Sequence, residues 1–541
     1  MKRPKKCCVL ILAATILAIG LRLPWLEQRP MHGDEAVNAV KFGDLLEEGS
    51  YQYDPDEYHG PTLNYLTLIP AWLSSDQKLS DLSEFTLRIV PAFFGVLLVL
   101  LLLLLVGGLG RGAAIVAAVL TAVSPAFVFY SRYYIHEMLL VCFTFGVITC
   151  GYRYTQSKNI MWALFTGIFL GLMHATKETC IIAFGSMLLA LLLTLLIRCR
   201  QGTSISNIVK AIKPCHLIAT AATAVIVSTL FYSSFLTNPS GILDSVRSYT
   251  TYFHRASQSE LHIHTWHYYL KMLIYFRVAE GPVWSEALIV LLAGVGFVVA
   301  ITRKGIAAVN FHLLTFIAFY AIIMAVLYSV IPYKTPWCLL GFLHGMILLA
   351  GVGAAALIKL APNVLVKVVI SLLLVVGGVH LAWQGYLGSY KYYAVPTNPY
   401  VYAHPVTDVV TIARRVEEIA KVHPDGYEMH IQVICPEHDH WPLPWYLRRF
   451  EKGTIDWWDK VADDVPAAPV IIASPSVETA LMRKLYELPP PGKKNLYVPL
   501  FDSYMELRPQ VELRGYVTKE LWDSYQQHQV QSVLTQSKSE K

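Results

Sequence analysis

The chain has 541 residues, of which 55% are hydrophobic and only 15% are charged, and its mean hydropathy is +0.46. This composition excludes an ordinary soluble protein and predicts a polytopic α-helical membrane protein. The formal net charge of +6 calls for no nucleic-acid partner, because much of the basic excess lies in short loops between apolar segments, where it signals membrane orientation.

About eleven apolar segments are long enough to span the ~30 Å hydrocarbon core of a bilayer. They lie near residues 7–25, 85–108, 112–130, 137–154, 160–175, 180–197, 216–236, 283–302, 310–331, 337–358 and 364–386. The first segment is predicted to be an uncleaved signal-anchor, because it is too long for a signal-peptide core. The shorter run Pro61–Leu73 predicts an interfacial helix or a hairpin tip.

Basic residues mark every second loop between these segments. With the N-terminus in the cytoplasm, the cytoplasmic loops carry no Asp or Glu, whereas the opposite loops are mixed in charge. The basic residues of the cytoplasmic loops are Lys2, Arg3, Lys5, Lys6, Arg111, Arg153, Lys158, Arg198, Arg200, Lys210, Lys213, Arg303, Lys304, Lys359 and Lys367. This pattern predicts a multi-pass protein of the inner (cytoplasmic) membrane with an extracytoplasmic C-terminus.

The composition becomes more polar after the last apolar segment. This change predicts two domains, a transmembrane catalytic module over 1–387 and an extracytoplasmic soluble α/β domain over 388–541. The tail segments of strand character are Met429–Cys435 and Val470–Ser474, and those with helical spacing are Thr407–Val422 and Val477–Leu488. Cys435 is the only cysteine of the tail, so no disulfide is expected within it.

Two adjacent carboxylates, Asp34 and Glu35, follow the first apolar segment in the sequence Met31–Ala36. Acidic side chains near the hydrocarbon core are costly to desolvate and therefore suggest a function. A membrane helix that delivers this pair to the lipid–water boundary suits chemistry on a lipid-borne substrate. The alternative is that both residues cap the following helix, since acids favour helix N-termini.

Polar residues collect in five loops that the predicted orientation places on the outer face. These loops carry Asp34, Glu35, Asp54, Asp56, Glu57, His59, Arg132, His136, Glu137, His174, Lys177, Glu178, His254, Arg255, His262, His264, His267, Tyr333, Lys334 and Trp337. Their concentration on one face predicts an active-site cavity there. The residues predicted to bind substrate in it are Asp56, Glu57, His59, His136, Glu137, Tyr333 and Trp337.

Several of these residues have a structural alternative. Arg132 and Lys334 could be anchors that snorkel to the headgroups, and Lys177 with Glu178 could form a local ion pair. The acidic run 54–57 could be a solvated turn.

The histidines at 262, 264 and 267 could be surface residues or could bind a divalent cation. Metal ligands must converge in space, and spacing alone does not show convergence. We therefore predict no obligatory metal cofactor, with a site at His262, His264 and His267 as the alternative.

Several short motifs carry a family resemblance. They are Asp34-Glu35, His59-Gly60-Pro61-Thr62-Leu63, Arg88, Tyr130-Ser131-Arg132-Tyr133-Tyr134 with Glu137, and Tyr333-Lys334-Thr335-Pro336-Trp337. Together they resemble the GT-C class of glycosyltransferases, more closely the family 39-like group of protein O-mannosyltransferases and aminoarabinose transferases, which use polyprenyl-phosphate sugars. Segments 398–404 and 441–448 resemble a subgroup described as flippase-activity-associated, from archaeal-type N-glycosylation gene clusters.

The resemblance implies a GT-C-like fold, an inverting displacement with Asp34 as the general base, and Glu35 as the residue that orients the substrate or the local helix. A sugar on a lipid phosphate already has a good leaving group, so the remaining needs are a base and cations. Arg132, Lys177 and Lys334 are predicted to bind the donor phosphate.

The sequence therefore predicts a membrane glycosyltransferase, a hexosyl- or pentosyltransferase. It would move a sugar from a polyprenyl-phosphate donor to a protein, glycan or lipid acceptor. The alternative is a transporter, a flippase or a flippase-associated protein for lipid-linked sugars. Transporters tend to have repeated halves and polar residues at the bilayer midplane, whereas the polar residues here lie at the outer rim, which favours the enzyme.

Overall fold

The computed structural model describes residues 4–56, 59–204, 213–258, 262–303, 309–490, 492 and 494–539. By its internal contacts the chain forms two compact units. The helical unit comprises Met1–Gln28, Asp44–Gln77 and Ser83–Tyr402, and the C-terminal unit comprises Arg29–Gly43, Lys78–Leu82 and Ala403–Lys541. The domains predicted over 1–387 and 388–541 stay a prediction, but the contacts place the segment that carries Asp34 in the C-terminal unit.

Apolar helices joined by short loops make up the helical unit. Helices α1 (Pro4–Arg22), α2 (Gly33–Glu48, shared with the C-terminal unit) and α3 (Thr62–Ser74) come first. They are followed by Glu84–Leu109, Arg111–Val123, Pro125–Tyr130, Glu137–Ser157, Ile160–His174, Cys180–Arg200, Pro214–Tyr232, Ser240–Gln258, Tyr268–Ile274, Ala287–Thr302, Phe311–Val330, Pro336–Leu360 and Val364–Lys391. Each predicted apolar segment coincides with one or two of these helices, because a helix satisfies its own backbone polar groups in lipid.

Within the described ranges, seven helices are long and apolar enough to cross a membrane. Two of them, Pro214–Tyr232 and Val364–Lys391, leave large apolar side chains such as Leu217 and Leu372 more than half exposed. Such surfaces suit lipid rather than water, and the chain is a multi-pass membrane protein. Three further apolar helices are shorter, so the number of crossings, expected to be about eleven, stays a prediction.

Two of the apolar helices cross at glycines. A Cβ atom at Gly353 would lie 2.1 Å from the Leu292 carbonyl oxygen, and one at Gly296 would lie 2.0 Å from the Leu349 carbonyl oxygen. Only glycine permits backbones to approach this closely. The crossing fixes helix Pro336–Leu360, whose first residue follows Lys334 by two positions.

The C-terminal unit contains two sheets. Its strands are β1 (Ile431–Ile434), β2 (Ile455–Trp458), β3 (Val470–Ala473), β4 (Tyr497–Pro499), β5 (Glu506–Arg508), β6 (Val511–Glu512) and β7 (Arg514–Thr518). The larger sheet has the order β2-β1-β3-β7-β4, in which β1 pairs in parallel with β2 and β3, and β7 pairs antiparallel with β3 and β4. Strands β5 and β6 form an antiparallel pair.

The predicted strands and helices of the tail are confirmed. Strands β1 and β3 and the helices Asp408–Ala420 and Glu478–Tyr486 lie within the four segments proposed from the sequence. All four residues of β1 are buried, because both faces of the sheet are covered: Ile431 and Val433 pack in one hydrophobic core and Ile434 in another. The polar residue of β1, Gln432, is satisfied by hydrogen bonds to the backbone of residues 466 and 468.

Helix Asp408–Ala420 covers this sheet with one apolar stripe. Val409, Ile412 and Val416 are fully buried and share a core with Ile431 and Val433. Their spacing of three and four residues places them on one helix face.

Candidate functional site

Asp34 and Glu35 begin helix α2 but lie in different environments. The Ala36 amide donates to the His32 carbonyl oxygen at 2.9 Å, so His32 is the N-cap residue. Glu35 is fully buried, and both of its carboxylate oxygens accept hydrogen bonds from Arg29 Nη2 at 3.0 Å. Glu35 Oε2 also accepts from the His32 amide at 3.0 Å, while His32 Nδ1 accepts from the Asp34 amide at 3.1 Å. These reciprocal bonds form a capping box that fixes the start of the helix.

The carboxylate of Asp34 remains available. Its side chain is 58% exposed, and none of the described residues donates a hydrogen bond to it. His32 Nδ1 lies 3.9 Å from Asp34 Oδ2, but this nitrogen already accepts the amide hydrogen of Asp34 and therefore carries no proton to share. Glu35 therefore supplies the hydrogen-bonded cap, whereas Asp34 lies in the first turn of α2 without such a bond from the described residues. The role of Asp34 as the general base stays a prediction.

A network of buried acids and bases occupies the helical unit. Lys177 Nζ forms an ion pair with Glu137. Glu178 Oε1 accepts a hydrogen bond from the Tyr53 hydroxyl at 3.0 Å, and Glu178 Oε2 lies 2.9 Å from His59 Nδ1. Lys177 and Glu178, neighbours in sequence, therefore take different partners, and among the described residues no salt bridge joins the two as the alternative local ion pair would require.

His59 and His136 belong to the same network. Their ring centroids are 5.2 Å apart in an edge-to-face arrangement, and His136 Nε2 donates to the Gly60 carbonyl at 3.1 Å. A Cβ atom at Gly60 would lie 2.3 Å from the Ala175 carbonyl oxygen. This glycine allows the first outer loop to pack against the turn that carries Lys177. Four of the residues predicted from the sequence, those at 59, 136, 137 and 177, are thus brought together.

The contacts of Lys177, Glu178 and His136 determine the protonation state of each side chain. Burial alone would lower the pKa of Lys177, but the carboxylate of Glu137 outweighs it and raises this pKa. Burial likewise opposes ionisation of Glu178, yet the neighbouring His59 lowers its pKa. Burial and then the adjacent His59 hold the pKa of His136 well below its usual range. The network therefore contains a paired lysine, an ionised glutamate and a neutral histidine.

We expect Glu178→Gln to destabilise the protein by about 2 kcal/mol, because hydrogen bonds to a charged group contribute about 1.5–3 kcal/mol. The lowered pKa of Glu178 means that its contribution is present at neutral pH and is lost as the pH falls below the ordinary glutamate pKa of about 4.3. Thermal unfolding in detergent at several pH values measures both effects. Glu280→Gln, which removes an exposed acid paired with Arg277, is the control. Equal unfolding midpoints for the two variants at pH 7 would contradict the assignment.

Lys334 is a buried cation with an unusual set of partners. It is 1% exposed, and within the described residues its ammonium group donates only to the backbone carbonyls of His264, at 3.0 Å, and Ile331. Among the described residues no carboxylate pairs with it, and burial lowers the pKa of Lys334. A buried ammonium group without a counter-charge is a suitable partner for a phosphate.

His262 and His264 converge on one hydroxyl group, whereas His267 does not. His262 Nδ1 and His264 Nε2 both contact the Tyr402 hydroxyl, the latter at 3.2 Å. His267 is exposed, and its Nε2 lies 3.3 Å from Thr265 Oγ1. In the part of the chain that the structure describes, no group of three or more His, Cys, Asp or Glu residues could hold a metal ion. The structure thus brings His262 and His264 together but not His267, and the alternative metal site at these three histidines stays an untested prediction.

Arg132 satisfies the C-terminal end of α1. Its Nη1 donates to the carbonyls of Arg22 at 2.8 Å and Pro24 at 2.6 Å, and its Nη2 donates to Trp25 at 2.8 Å. Its guanidinium group also lies 4.4 Å from the centre of the Tyr390 ring. The last carbonyls of a helix lack partners within it, so Arg132 acts here as a cap. Its role as a phosphate ligand stays a prediction.

The remaining predicted substrate residues differ in their environments, although Tyr333 packs on His262 and Trp337 on Tyr402. Asp56 lies in an exposed turn and accepts a hydrogen bond from the Thr251 hydroxyl at 2.9 Å. Tyr333 is 40% exposed, whereas Trp337 is buried with its ring 6.4 Å from that of Tyr133. Glu57 and the side chains of His254 and Arg255 lie outside the described residues.

Two contacts of the Asp34 loop come from the far end of the chain. The Tyr446 hydroxyl accepts a hydrogen bond from the Met31 amide at 2.8 Å, and the ring of His404 stacks on that of His32 with centroids 5.8 Å apart. Neither residue was predicted to belong to the site. Their segments, 398–404 and 441–448, nevertheless carried the subgroup resemblance, which was the available signal.

One protein-family model matches part of the chain. Residues 68–238 match the model described as dolichyl-phosphate-mannose-protein mannosyltransferase. No curated protein matches the sequence.

Solved structures give a broader similarity. ArnT from Cupriavidus metallidurans, bound to undecaprenyl phosphate, is 15% identical with a TM-score of 0.60, covering 95% of this chain and 98% of that one. The Archaeoglobus fulgidus oligosaccharyltransferase in its apo form is 13% identical with a TM-score of 0.58, covering 89% and 71%. AglB from the same organism, in complex with an inhibitory peptide and a dolichol-phosphate, is 13% identical with a TM-score of 0.53, covering 88% and 70%. The predicted GT-C glycosyltransferase fold is therefore confirmed.

Proposed function

We propose that this chain, which has the GT-C fold, is a membrane glycosyltransferase. It transfers a sugar from a polyprenyl-phosphate carrier to a protein, glycan or lipid acceptor at the extracytoplasmic face. The observation that carries the proposal is the contrast between the two adjacent acids. Glu35 is buried and held by Arg29 and His32, whereas Asp34 is exposed and accepts no hydrogen bond from the described residues. Glu35 fixes the loop, whereas the carboxylate of Asp34 can act as the general base.

The reaction is a direct displacement at the anomeric carbon. An acceptor oxygen or nitrogen forms a bond to this carbon, and the bond from the carbon to the phosphate oxygen breaks. Its electron pair leaves with the polyprenyl phosphate, and the acceptor proton passes to the carboxylate of Asp34. A single displacement inverts the anomeric configuration.

The departing phosphate gains negative charge and requires cations. Lys334 suits this role best among the three predicted cations, because the partners of its ammonium group in the described part of the chain are all backbone carbonyls. Lys177 is already neutralised by Glu137, and Arg132 is occupied by the end of α1. The structural similarity to proteins solved with undecaprenyl phosphate or dolichol-phosphate supports a lipid-phosphate donor.

Purified protein in detergent tests the proposal directly. Polyprenyl-phosphate sugars are supplied with a panel of peptide, glycan and lipid acceptors, and release of polyprenyl phosphate is measured together with labelled product. We expect release to depend on acceptor. Movement of the intact sugar lipid across a proteoliposome bilayer, without release of polyprenyl phosphate with any acceptor, would instead support the flippase alternative.

We expect a reporter fused after Ser389 to be exported and one fused after Gly202 to stay in the cytoplasm, because the acid-free basic loops mark the cytoplasmic face. Paired alkaline phosphatase and fluorescent-protein fusions measure the two locations. The opposite result would place the proposed chemistry on the wrong side of the membrane.

A further inference from the structure

We propose that the segment Trp441–Arg448, with His404, positions the loop that carries Asp34. The C-terminal unit would then complete the catalytic loop rather than serve as a separate module. This inference rests on the proposed function, since it gives Asp34 its base role. The segment and the loop belong to the same compact unit, although they come from opposite ends of the chain.

The first contact is a hydrogen bond to the loop backbone. The Met31 amide donates to the Tyr446 hydroxyl at 2.8 Å, and the Met31 side chain is fully buried. A buried amide without an acceptor is unfavourable. Tyr446 thereby fixes the backbone three residues before Asp34.

The next residue of the loop also contacts the C-terminal part of the chain. The ring of His32 stacks on that of His404, with an angle of 11° between their planes. Trp441 lies close to Gly33, since a Cβ atom built at Gly33 would lie 3.7 Å from the Cβ of Trp441. Two consecutive residues before Asp34, Met31 and His32, are therefore held from the C-terminal side.

The holding segment is itself well fixed. Trp445 is fully buried, and the guanidinium group of Arg448 lies 3.8 Å from the centre of its ring. Arg448 Nη1 donates to the Trp445 carbonyl at 2.9 Å, and Nη2 donates to the Leu82 carbonyl at 2.8 Å. A rigid support of this kind suits a catalytic loop, because a displacement of about 1 Å costs about 10²-fold in rate.

Tyr446→Phe tests the inference, because it removes one oxygen atom and keeps the ring. We expect kcat per folded protein to fall about 10- to 100-fold, with the donor KM unchanged. Tyr504→Phe removes the hydroxyl of an exposed tail tyrosine that bonds Glu506, and it is expected to leave kcat unchanged. A kcat equal to wild type in Tyr446→Phe would overturn the inference.

The double variant with Asp34→Asn separates positioning from general stability. If Tyr446 acts through Asp34, Tyr446→Phe has no further effect once the base is gone. An equal fold-loss in both backgrounds would overturn the inference. Full activity of Asp34→Asn alone would instead refute the base assignment of the proposed function.

His404→Ala provides a second, independent variant should Tyr446→Phe fail to fold. It removes the ring that stacks on His32 and leaves the Met31–Tyr446 hydrogen bond in place. We expect the same pattern, a lower kcat at constant donor KM, and the same lack of effect in the Asp34→Asn background. An unchanged kcat in His404→Ala would likewise count against the inference.

Discussion

Asp34→Asn is expected to insert and fold like the wild type but to lose sugar transfer by about 10²–10⁴-fold, the usual effect of removing a general base. Asparagine keeps the size of the side chain but cannot accept the acceptor's proton. Stability should not change, because the Asp34 side chain is 58% exposed and receives no hydrogen bond from the described residues. Initial rates of donor consumption, with unfolding midpoints measured in parallel, check both halves of this result.

Glu35→Gln is the matched control, since it makes the same chemical change one residue away. We expect it to destabilise the C-terminal unit by about 3–5 kcal/mol, because it removes the charge that Arg29 is buried against. Asp34 lies in the first turn after the N-cap residue His32, and an exposed charge there contributes less than about 1 kcal/mol, so a purely structural Asp34 would tolerate the substitution. Full sugar transfer by Asp34→Asn would end the catalytic assignment.

Lys334→Ala is expected to lower kcat/KM for the donor about 10- to 100-fold, since a hydrogen bond to a charged group contributes about 1.5–3 kcal/mol. Affinity for the acceptor should change little. Lys391→Ala, which removes an exposed lysine, is the control for loss of charge alone. Normal donor kinetics in Lys334→Ala would show that Lys334 is a structural anchor.

Arg132→Ala tests the second cation that the sequence predicts to bind the donor phosphate. It leaves the carbonyls of Arg22, Pro24 and Trp25 without their donor, so the unfolding midpoint should fall. A higher donor KM at an unchanged midpoint would instead support the phosphate role predicted from the sequence.

The local structure was largely predictable, because it depends on composition and periodicity. Long apolar runs gave the membrane helices, and β1 and helix Asp408–Ala420 followed from short apolar runs and three-to-four residue spacing. The place of Asp34 and Glu35 in the first turn of a helix was also predictable, since acids favour helix N-termini; the role of Asp34 stays a prediction.

The pairing of side chains was not predictable from spacing. Glu178 accepts from Tyr53, 125 residues away, while its neighbour Lys177 pairs with Glu137, 40 residues away. Successive residues of a turn point in different directions, so sequence proximity is a poor guide to an ion pair there. The three histidines show that spacing does not predict convergence either. His267 is the N-cap residue of helix Tyr268–Ile274, whereas His262 precedes Ile263, which forms a β-bridge with Tyr333. The side chains of His262 and His267 therefore lie in different local structures.

The C-terminal unit combines segments from both ends of the chain, and this has a consequence for biogenesis. Met31 and Tyr446 are separated by 415 residues, so during synthesis from the N-terminus the loop that carries Asp34 is made long before the segment that holds it. Contacts over such separations form late, because closing a long loop is slow. The membrane helices can insert while this loop still lacks its final support. The Asp34 loop would therefore reach its final support only when the last quarter of the chain has folded, and the activity proposed for Asp34 would begin only then.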